Sequence, residues 1–459
     1  MTTSSARPGT TRARSGRTPA PRARRLHPAW IVAGVAFLAL VGAAGFRSAP
    51  SALIVPLQTE FGWSITQLSA AVSVNILLFG LTAPFAAALM ERFGLRRVTS
   101  TALLLIAAGS ALSTLVSQSW QLLLTWGVLI GLGTGSMALV FAALVADRWF
   151  LKRKGLITGV LTAGSATGQL IFLPIVASVA QNESWRLASL LIAAIALAVV
   201  PVVAIFLRNS PADLGMTPYG SPLDAVPTFP ERSPINPAKR AIQVLGRAAK
   251  VRTFWALVAG FAICGATTNG LVGTHFIPSL HDHGIGESTA ASLLAVVGIF
   301  DVVGTIASGW LTDRINPRIL LAAYYAGRGI SLLLLPFLLN AISSGSLQPP
   351  IILFVVVYGL DWVATVPPTA ALCREVFGKD GAVVYGWVFA AHQLGAASAA
   401  LAAGVIRDAL GDYTWAWFGA AGLCVVAAVV SVSITRKTRS PFPASAPQPA
   451  PKPHPAATT

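Results

Sequence analysis

Apolar stretches of about twenty residues recur from one end of the chain to the other. They lie near 30–57, 65–90, 98–117, 121–145, 155–180, 186–207, 253–277, 289–312, 319–340, 350–373, 382–406 and 414–434. A helix needs about 20 apolar residues to cross the hydrocarbon core of a bilayer, because every backbone polar group must be satisfied within the helix. The pattern predicts an all-α membrane protein with twelve transmembrane helices, six on each side of a polar gap.

The composition agrees with a membrane protein rather than a soluble one. The 459 residues are 54% hydrophobic and 11% charged, whereas about 25% of the residues of an ordinary soluble domain are charged. We expect a six-helix half at 29–208, a cytoplasmic linker at 209–252 and a second six-helix half at 253–434. Disordered cytoplasmic tails are expected at 1–28, which is basic, and at 435–459, which is rich in proline and alanine.

Lysine and arginine are distributed unevenly between the two sides of the predicted helices. If the N-terminus is cytoplasmic, all but four of the 33 basic residues fall on or near the cytoplasmic side, the four being Arg47, Arg186, Arg328 and Arg407. Short cytoplasmic segments are enriched in lysine and arginine. The distribution predicts a multi-pass protein of the cell membrane, plasma or inner, with both termini cytoplasmic. It also explains the net charge of +17 without a nucleic-acid partner.

Sequence motifs give no indication of cofactor or covalent chemistry. The three cysteines, Cys264, Cys373 and Cys424, lie in or beside predicted membrane helices and lack metal-ligand spacing. The sequence contains no phosphate-binding glycine loop, His-Glu-x-x-His pattern or nucleophile elbow. We therefore expect no disulfide, no metal site, no cofactor and no enzymatic activity.

Matching acid–arginine pairs end the second helix of each predicted half. The first copy contains Glu91, Arg92 and Arg96, and the second contains Asp313 and Arg314. This repeat resembles the loop signature of the major facilitator superfamily, although the first copy has glutamate for the usual aspartate. The resemblance implies the major facilitator fold, with two pseudo-symmetric six-helix bundles, and it assigns these five residues to gating loops.

A narrower resemblance covers the fourth and fifth helices. Glycines spaced through 127–135 are followed by Trp149-Phe150, by the basic cluster at 152–154 and by small residues through 155–164. These features resemble the branch that contains monocarboxylate transporters and oxalate:formate antiporters. Gly127 stands where many drug and sugar transporters of the superfamily have an arginine. The acidic-glycine-tryptophan opening that precedes the first helix of animal members is missing.

Five ionisable residues stand out within predicted membrane helices: Arg47, Asp301, Arg328, Asp361 and His392. A charge in the bilayer interior costs several kcal/mol unless it is paired or hydrated, so each is a functional candidate. At about 1.5 Å per residue, the last four fall in one layer near the midplane, where transporter sites usually form.

The predicted substrate contacts are Arg47, Asp361, His392, Gln393 and Asn269. Arginine suits a carboxylate because its planar fork donates two parallel hydrogen bonds. The family resemblance places the first and tenth helices against the cavity, which favours Arg47 and Asp361 within this set.

Two charges on neighbouring helices are predicted to act together. Asp301 and Arg328 are expected to form a charge pair between the eighth and ninth helices, or to take part in proton coupling. The alternative partners of Arg328 are Asp361 and water.

These features predict a monomeric secondary active transporter of small organic anions, in particular monocarboxylates, working by alternating access. Coupling to a proton or to a counter-anion is left open. One alternative is efflux of a lipophilic compound, which would not require Arg47. Others are a membrane enzyme, which lacks a reactive constellation in the sequence, and a membrane sensor. A sensor would carry a folded output domain, for which 209–252 and 435–459 are too short and too rich in proline.

Overall fold

The computed structural model describes residues 27–137, 139–222, 237–340 and 349–434. Twelve membrane helices follow one another in these residues: α1 (Pro28–Phe61), α2 (Ile65–Phe93), α3 (Leu95–Ser113), α4 (Ser119–Trp149), α5 (Lys154–Asn182), α6 (Trp185–Phe206), α7 (Arg252–His281), α8 (Glu287–Thr312), α9 (Pro317–Asn340), α10 (Pro349–Asp361 and Val366–Phe377), α11 (Gly381–Leu410) and α12 (Thr414–Ser433). The tail predicted at 435–459, and all but the last two residues of the tail predicted at 1–28, lie outside the described residues.

Hydropathy supports a membrane-spanning role for these helices. Ten helical segments of the described chain are long and apolar enough to cross a bilayer, and one of them, Pro349–Leu410, holds both α10 and α11. In α5 the apolar stretch Leu170–Asn182 is shorter. The predicted all-α fold with two six-helix halves is confirmed.

The two halves repeat the same packing. In the first half α1 packs on α5 and α3 on α6, while in the second α7 packs on α11 and α9 on α12. Between the halves α2 packs on α11 and α8 on α5. Since α2 and α8 are the second helices of their halves, and α5 and α11 the fifth, the two contacts between the halves are also equivalent.

Small residues bring α2 and α11 into close contact. The hydroxyl of Ser73 donates to the Ala397 carbonyl at 2.7 Å. A Cβ atom on Gly404 would lie 2.7 Å from the hydroxyl oxygen of Ser69, so no larger residue fits there without movement. Residues of this size let membrane helices approach closely enough to gain dispersion energy and hydrogen bonds.

Helix ends from opposite halves also meet on the face of the molecule opposite the linker. The Asp408 carboxylate at the end of α11 accepts hydrogen bonds from the first backbone N–H groups of α2, those of Ile65 at 3.1 Å and Thr66 at 2.7 Å. At the equivalent place Gln181, at the end of α5, accepts from the N–H of Ser288 in α8 at 3.2 Å. These contacts satisfy N–H groups that a helix start leaves without partners.

Part of the linker is helical, which the sequence reading did not predict. Residues Pro237–Ala248 form a helix, the linker helix, that contacts α2 and α11. Arg240 and Arg247 of this helix form ion pairs with Asp380, at the start of α11, at 3.4 and 2.8 Å. Its apolar face is buried through Val244 and Ala248, so the linker helix is packed against the bundle rather than extended in solvent.

Candidate transport site

A cavity of about 60 Å³ lies between the two halves, near the middle of their length. It is lined by residues of α1 and α2 from the first half and of α7 and α11 from the second. Its polar lining residues are Arg47, Ser51, Asn75, Asn269, Thr274 and Gln393. Three of the five predicted substrate contacts, Arg47, Asn269 and Gln393, therefore line one cavity.

Arg47 supplies the positive charge of this cavity. Its side chain is exposed although it lies in the middle of α1, because it lines the space between the halves. The guanidinium carbon lies 4.4 Å from the centre of the Phe79 ring, within reach of a cation–π interaction. Because Arg47 lines the cavity, its guanidinium is a candidate for contact with a ligand there.

Asn269 reaches the cavity from an irregular stretch of α7. Residues Ala266–Val272 are wound as a π-helix, a form that often marks functional sites. The Tyr358 hydroxyl donates to the Thr267 carbonyl at 2.5 Å and the Thr274 hydroxyl donates to the Asn269 carbonyl at 3.0 Å. These bonds hold the local backbone and leave the Asn269 side chain at the cavity wall.

Asn75 of α2 lines the same cavity opposite Asn269. Its side-chain nitrogen donates to the Trp126 carbonyl at 2.6 Å, within the π-helical segment Leu123–Ile130 of α4. Asn75 is thus held by a hydrogen bond to a π-helical segment of α4, and Asn269 lies within a π-helical segment of α7.

His392 is next to Gln393 in α11 but is not among the residues that line the cavity. Its ring is 7% exposed and lies against Phe261 at 4.8 Å and Phe389 at 5.7 Å between ring centres. The structure therefore places this predicted substrate contact in an aromatic cluster beside the cavity.

Asp361 is at the point where α10 is interrupted. The helix stops at Asp361 and resumes at Val366, before the pair Pro367-Pro368. Prolines lack an N–H group, so the carbonyls of Val363 and Ala364 lose their usual partners four residues ahead. The Val366 N–H donates to the first at 2.9 Å, and the hydroxyl of Ser308 in α8 donates to the second at 2.5 Å.

Arg328 of α9 pairs with Asp361 across this interruption. Its Nε donates to the Asp361 carboxylate at 2.5 Å, and one terminal nitrogen donates to the carbonyls of Asp361 and Trp362 at 2.6 and 3.2 Å. The other terminal nitrogen lies 3.1 Å from the Cys264 sulfur and 3.3 Å from the Thr267 hydroxyl of α7. At 1% exposure, this guanidinium is enclosed by protein.

The predicted pair between Asp301 and Arg328 is therefore corrected in favour of the alternative, Asp361. Asp301 instead accepts hydrogen bonds from the Val363 N–H of α10 at 3.0 Å and from the Thr305 hydroxyl at 3.1 Å. The interruption exposes carbonyls toward α9 and an N–H group toward α8. The Arg328 guanidinium and the Asp301 carboxylate consequently bind opposite sides of the same turn of α10.

Asp301 also borders a second, smaller cavity of about 30 Å³. Leu170 of α5 lines it from the first half, while Gly298 of α8 and Trp362 of α10 line it from the second. A carboxylate of the second half thus adjoins space between the halves, at a distance from the Arg47 cavity.

The predicted gating residues lie at the ends of α2, α3 and α8. Glu91, Arg92, Asp313 and Arg314 are exposed. The Arg96 N–H donates to the side-chain oxygen of Asn209 at 3.2 Å. Their part in gating remains a prediction.

Sequence reasoning missed Asn209, which anchors the start of the linker. Its side chain binds the backbone of Arg96, and its carbonyl accepts from the Arg148 guanidinium at 3.3 Å. Gly94 has a φ of 87°, and a Cβ there would lie 2.6 Å from the Asn209 side-chain oxygen. In the sequence, Gly94, two residues after Arg92, was the feature that could have indicated this close approach.

Comparisons with known proteins agree with this architecture. The family model described as Major Facilitator Superfamily matches residues 35–380 and 276–458. An uncharacterized MFS-type transporter of Bacillus subtilis, YcxA, is 24% identical over 84% of this chain and 90% of its own length. Human monocarboxylate transporter 11 is 27% identical over 89% of this chain and 83% of its own length. The predicted resemblance to the monocarboxylate transporter branch is confirmed.

Solved structures give the same fold. A D-xylose-proton symporter aligns with a TM-score of 0.69 at 15% identity, covering 90% of this chain and 99% of the symporter. The nucleoside transporter NupG aligns with a TM-score of 0.67 at 13% identity, covering 89% of this chain and 100% of NupG. The described part of the chain has twelve membrane helices in two equivalent halves around a central cavity, and the family model spans most of the sequence. The chain therefore belongs to the Major Facilitator Superfamily and is a transporter.

Proposed function

We propose that the chain is a secondary active transporter of small monocarboxylates, with Arg47 as the group that binds the carboxylate. The observation that carries the proposal is an arginine within a membrane helix that lines a cavity between the halves, together with the amide side chains of Asn269 and Gln393. A guanidinium binds a carboxylate through two parallel hydrogen bonds. Amide groups can bind a hydroxyl or keto oxygen elsewhere on the same ligand.

The size of the cavity favours a small ligand. Pockets for drug-sized molecules are typically about 300–1,000 Å³, whereas this cavity measures about 60 Å³. In this conformation it has room for a ligand of a few non-hydrogen atoms. That observation supports a short-chain acid over a bulky lipophilic compound, and relatives named as monocarboxylate transporters point the same way.

Transport proceeds in this proposal by rocking of the two halves, 29–208 and 253–434, around the cavity. Asp301 is the proposed proton-coupling group, because its carboxylate adjoins space between the halves and can be protonated when that space opens to water. The protein acts as a monomer in the cell membrane, with both termini in the cytoplasm. The orientation follows from the distribution of lysine and arginine.

Uptake into proteoliposomes tests the proposal. We expect labelled lactate and pyruvate to be taken up, and their neutral amides to be excluded because the amides cannot form a charge-assisted pair with Arg47. An inward proton gradient should stimulate uptake, and an uncoupler should abolish that stimulation. Uptake that ignores pH and requires an internal anion would identify an exchanger, and equal uptake of acid and amide would overturn the proposed substrate class.

A further inference from the structure

The interruption of α10 presents the groups that would bind a cation. The carbonyls of Asp361 and Trp362 and the carboxylate of Asp361 converge within 2.5–3.2 Å of the Arg328 guanidinium. The C-terminal end of the Pro349–Asp361 segment also carries the negative end of its helix dipole. In transporters with discontinuous helices, freed carbonyls and helix C-termini of this kind coordinate a bound Na⁺ or a proton.

We propose that Arg328 is a built-in cation that positions the interrupted α10, in the place where a broken membrane helix would otherwise need a bound metal cation. Arg328 acts through Asp361 and Trp362, since it does not line the Arg47 cavity. The interruption of α10 consequently needs no bound sodium or potassium ion at this place. This inference rests on the proposed function only where transport is the readout.

The contacts of Arg328 fit an arginine better than a lysine. Its Nε and one terminal nitrogen bind α10, while the other terminal nitrogen points to Cys264 and Thr267 of α7. The planar guanidinium can therefore bind both helices at once from α9. A lysine ammonium is a compact point charge and cannot reproduce this divergent set of donors.

On the opposite side of the turn Asp301 accepts the Val363 N–H at 3.0 Å. The N-terminal end of the following segment, Val366–Phe377, carries the positive end of its own helix dipole. A cation on the carbonyl side and a carboxylate on the N–H side together stabilise an interruption that hydrocarbon alone would not tolerate. The interruption therefore has a fixed geometry, and Arg328 supplies the cationic half of it.

Replacement of Arg328 by alanine, followed by addition of small cations, tests the inference. We expect purified Arg328→Ala to unfold at a lower temperature than the wild type, and guanidinium at sub-denaturing concentration to restore much of the difference. Urea has a similar planar shape without the charge, and it should not restore stability. In proteoliposomes guanidinium should raise the maximal rate of Arg328→Ala while leaving KM close to the wild-type value, because Arg328 is outside the cavity.

Arg407→Ala is the matched control. Arg407 also forms a two-point ion pair, with Asp282 at 2.8 and 3.1 Å, but its side chain is 27% exposed at the surface. Water can replace it, so guanidinium should not raise the unfolding temperature of Arg407→Ala. Restoration of both variants to the same extent, or restoration of Arg328→Ala by urea, would overturn the proposal.

Two further measurements apply if Arg328→Ala does not fold. Arg328→Lys should fold with reduced stability that guanidinium does not restore, because the lysine occupies the site. The unfolding temperature of the wild type should be unchanged when choline replaces all sodium and potassium, and a strict need of the folded protein for either metal would contradict a built-in cation. The stability measurements need no substrate, so they remain decisive if the monocarboxylate proposal fails.

Discussion

Arg47 and Arg328 are both arginines within membrane helices, but their surroundings differ. Arg328 is 1% exposed and its guanidinium contacts three other residues of α10 and α7 beside its ion-pair partner. Arg47 faces a cavity and lies on the Phe79 ring. An enclosed arginine stabilises the fold, whereas an arginine at a cavity can exchange water for a ligand.

Substitution of Arg47 should reduce transport in two distinct steps. Arg47→Lys keeps the charge but loses one of two charge-assisted hydrogen bonds, each worth about 1.5–3 kcal/mol, so we expect kcat/KM to fall roughly tenfold or more. Arg47→Gln removes the charge as well, and uptake should fall by about 100-fold or more. Initial rates in proteoliposomes at matched protein content measure both effects.

Arg186→Gln is the control for Arg47. Arg186 pairs with Glu60 at 2.6 Å on the surface, where its side chain is 40% exposed. Exposed pairs contribute about 0–1 kcal/mol, so uptake by this variant should stay close to the wild-type value. A similar loss in both variants would show that the effect at Arg47 is not specific to the site.

Asp301→Asn should separate transport from proton coupling. Asparagine keeps a side-chain oxygen that can accept from Val363 and Thr305, so the interruption of α10 should be preserved. The asparagine side chain cannot be protonated at ordinary pH. We therefore expect exchange of labelled for unlabelled lactate to continue, while stimulation by an inward proton gradient disappears. A gradient response equal to that of the wild type would exclude Asp301 as the coupling group.

The depth of the buried charges in the membrane could be predicted more reliably than their partners. Counting along the helices placed Asp301, Arg328 and Asp361 in one layer, and the structure brings all three to a single turn of α10. The choice between Asp301 and Asp361 depended on side-chain direction, which depth alone does not determine. Arg328 pairs with Asp361 because the interruption of α10 turns the carbonyls of Asp361 and Trp362 toward α9.

At the scale of single elements, the interruption of α10 is a clear departure from regular helix in the described part of the second half. Pro367-Pro368 was visible in the sequence at the predicted span 350–373, and a proline pair there removes two backbone hydrogen bonds. The side chains that bind the backbone at the interruption could not be predicted from the sequence of α10, because Ser308, Asp301 and Arg328 belong to other helices.

Ser308→Ala should destabilise the fold through this interruption. The substitution leaves the buried Ala364 carbonyl without its hydroxyl donor, which costs about 1–3 kcal/mol. Ser331→Ala is the matched control, since the Ser331 hydroxyl donates at 3.1 Å to a carbonyl of its own helix, four residues earlier. Thermal unfolding in detergent should show a clear decrease for the first variant and little change for the second. Equal unfolding temperatures would remove the role assigned to Ser308.

The linker helix is an element for which the sequence analysis made no prediction. Residues 209–252 were expected to be a cytoplasmic linker, too short and too rich in proline for a folded output domain. Within it, Pro237–Ala248 alternates apolar and basic residues with helical spacing, and the helix forms because Val244 and Ala248 can pack against the bundle. A short amphipathic helix gains most of its stability from such packing, which the local sequence does not reveal.

At the scale of the whole molecule, the contacts between the halves follow the internal repeat. α11 meets α2 through Asp408, and α5 meets α8 through Gln181, at equivalent places on the face opposite the linker. Alternating access requires the halves to separate on this face at one stage of the cycle. Both contacts must then break.

Asp408→Ala should shift the molecule toward separation of the halves on this face. Loss of a helix-capping side chain costs about 0.5–2 kcal/mol, which corresponds to a change of roughly 2- to 30-fold in the ratio of closed to open forms. Spin labels attached at Gln58 and Ala409, in α1 and α11, should report a larger population at long distance.

Asp412→Ala is the control for this shift, because Asp412 lies on the same face and binds only the nearby N–H of Thr414 among the hydrogen bonds described. Its distance distribution should match the wild type. An unchanged distribution in Asp408→Ala would show that this cap does not hold the halves together.

Much of the overall architecture could be predicted because membrane insertion imposes long apolar helices, and twelve of them were evident in the hydropathy pattern. The acid–arginine repeat added the relation between the halves. The cavity was harder to predict: of the predicted substrate contacts, Arg47, Asn269 and Gln393 line it, whereas His392 is buried between Phe261 and Phe389. Which face of α11 meets the cavity depends on its crossing with α2.

Equilibrium binding of labelled pyruvate to purified protein tests the central claim, that Arg47 binds a carboxylate in the cavity between the halves. Wild-type protein should bind pyruvate in competition with other short monocarboxylates but not with their amides. Arg47→Gln, at the same amount of folded protein, should bind it at least about tenfold more weakly. Equal binding by the two proteins, or equal competition by acid and amide, would contradict the claim.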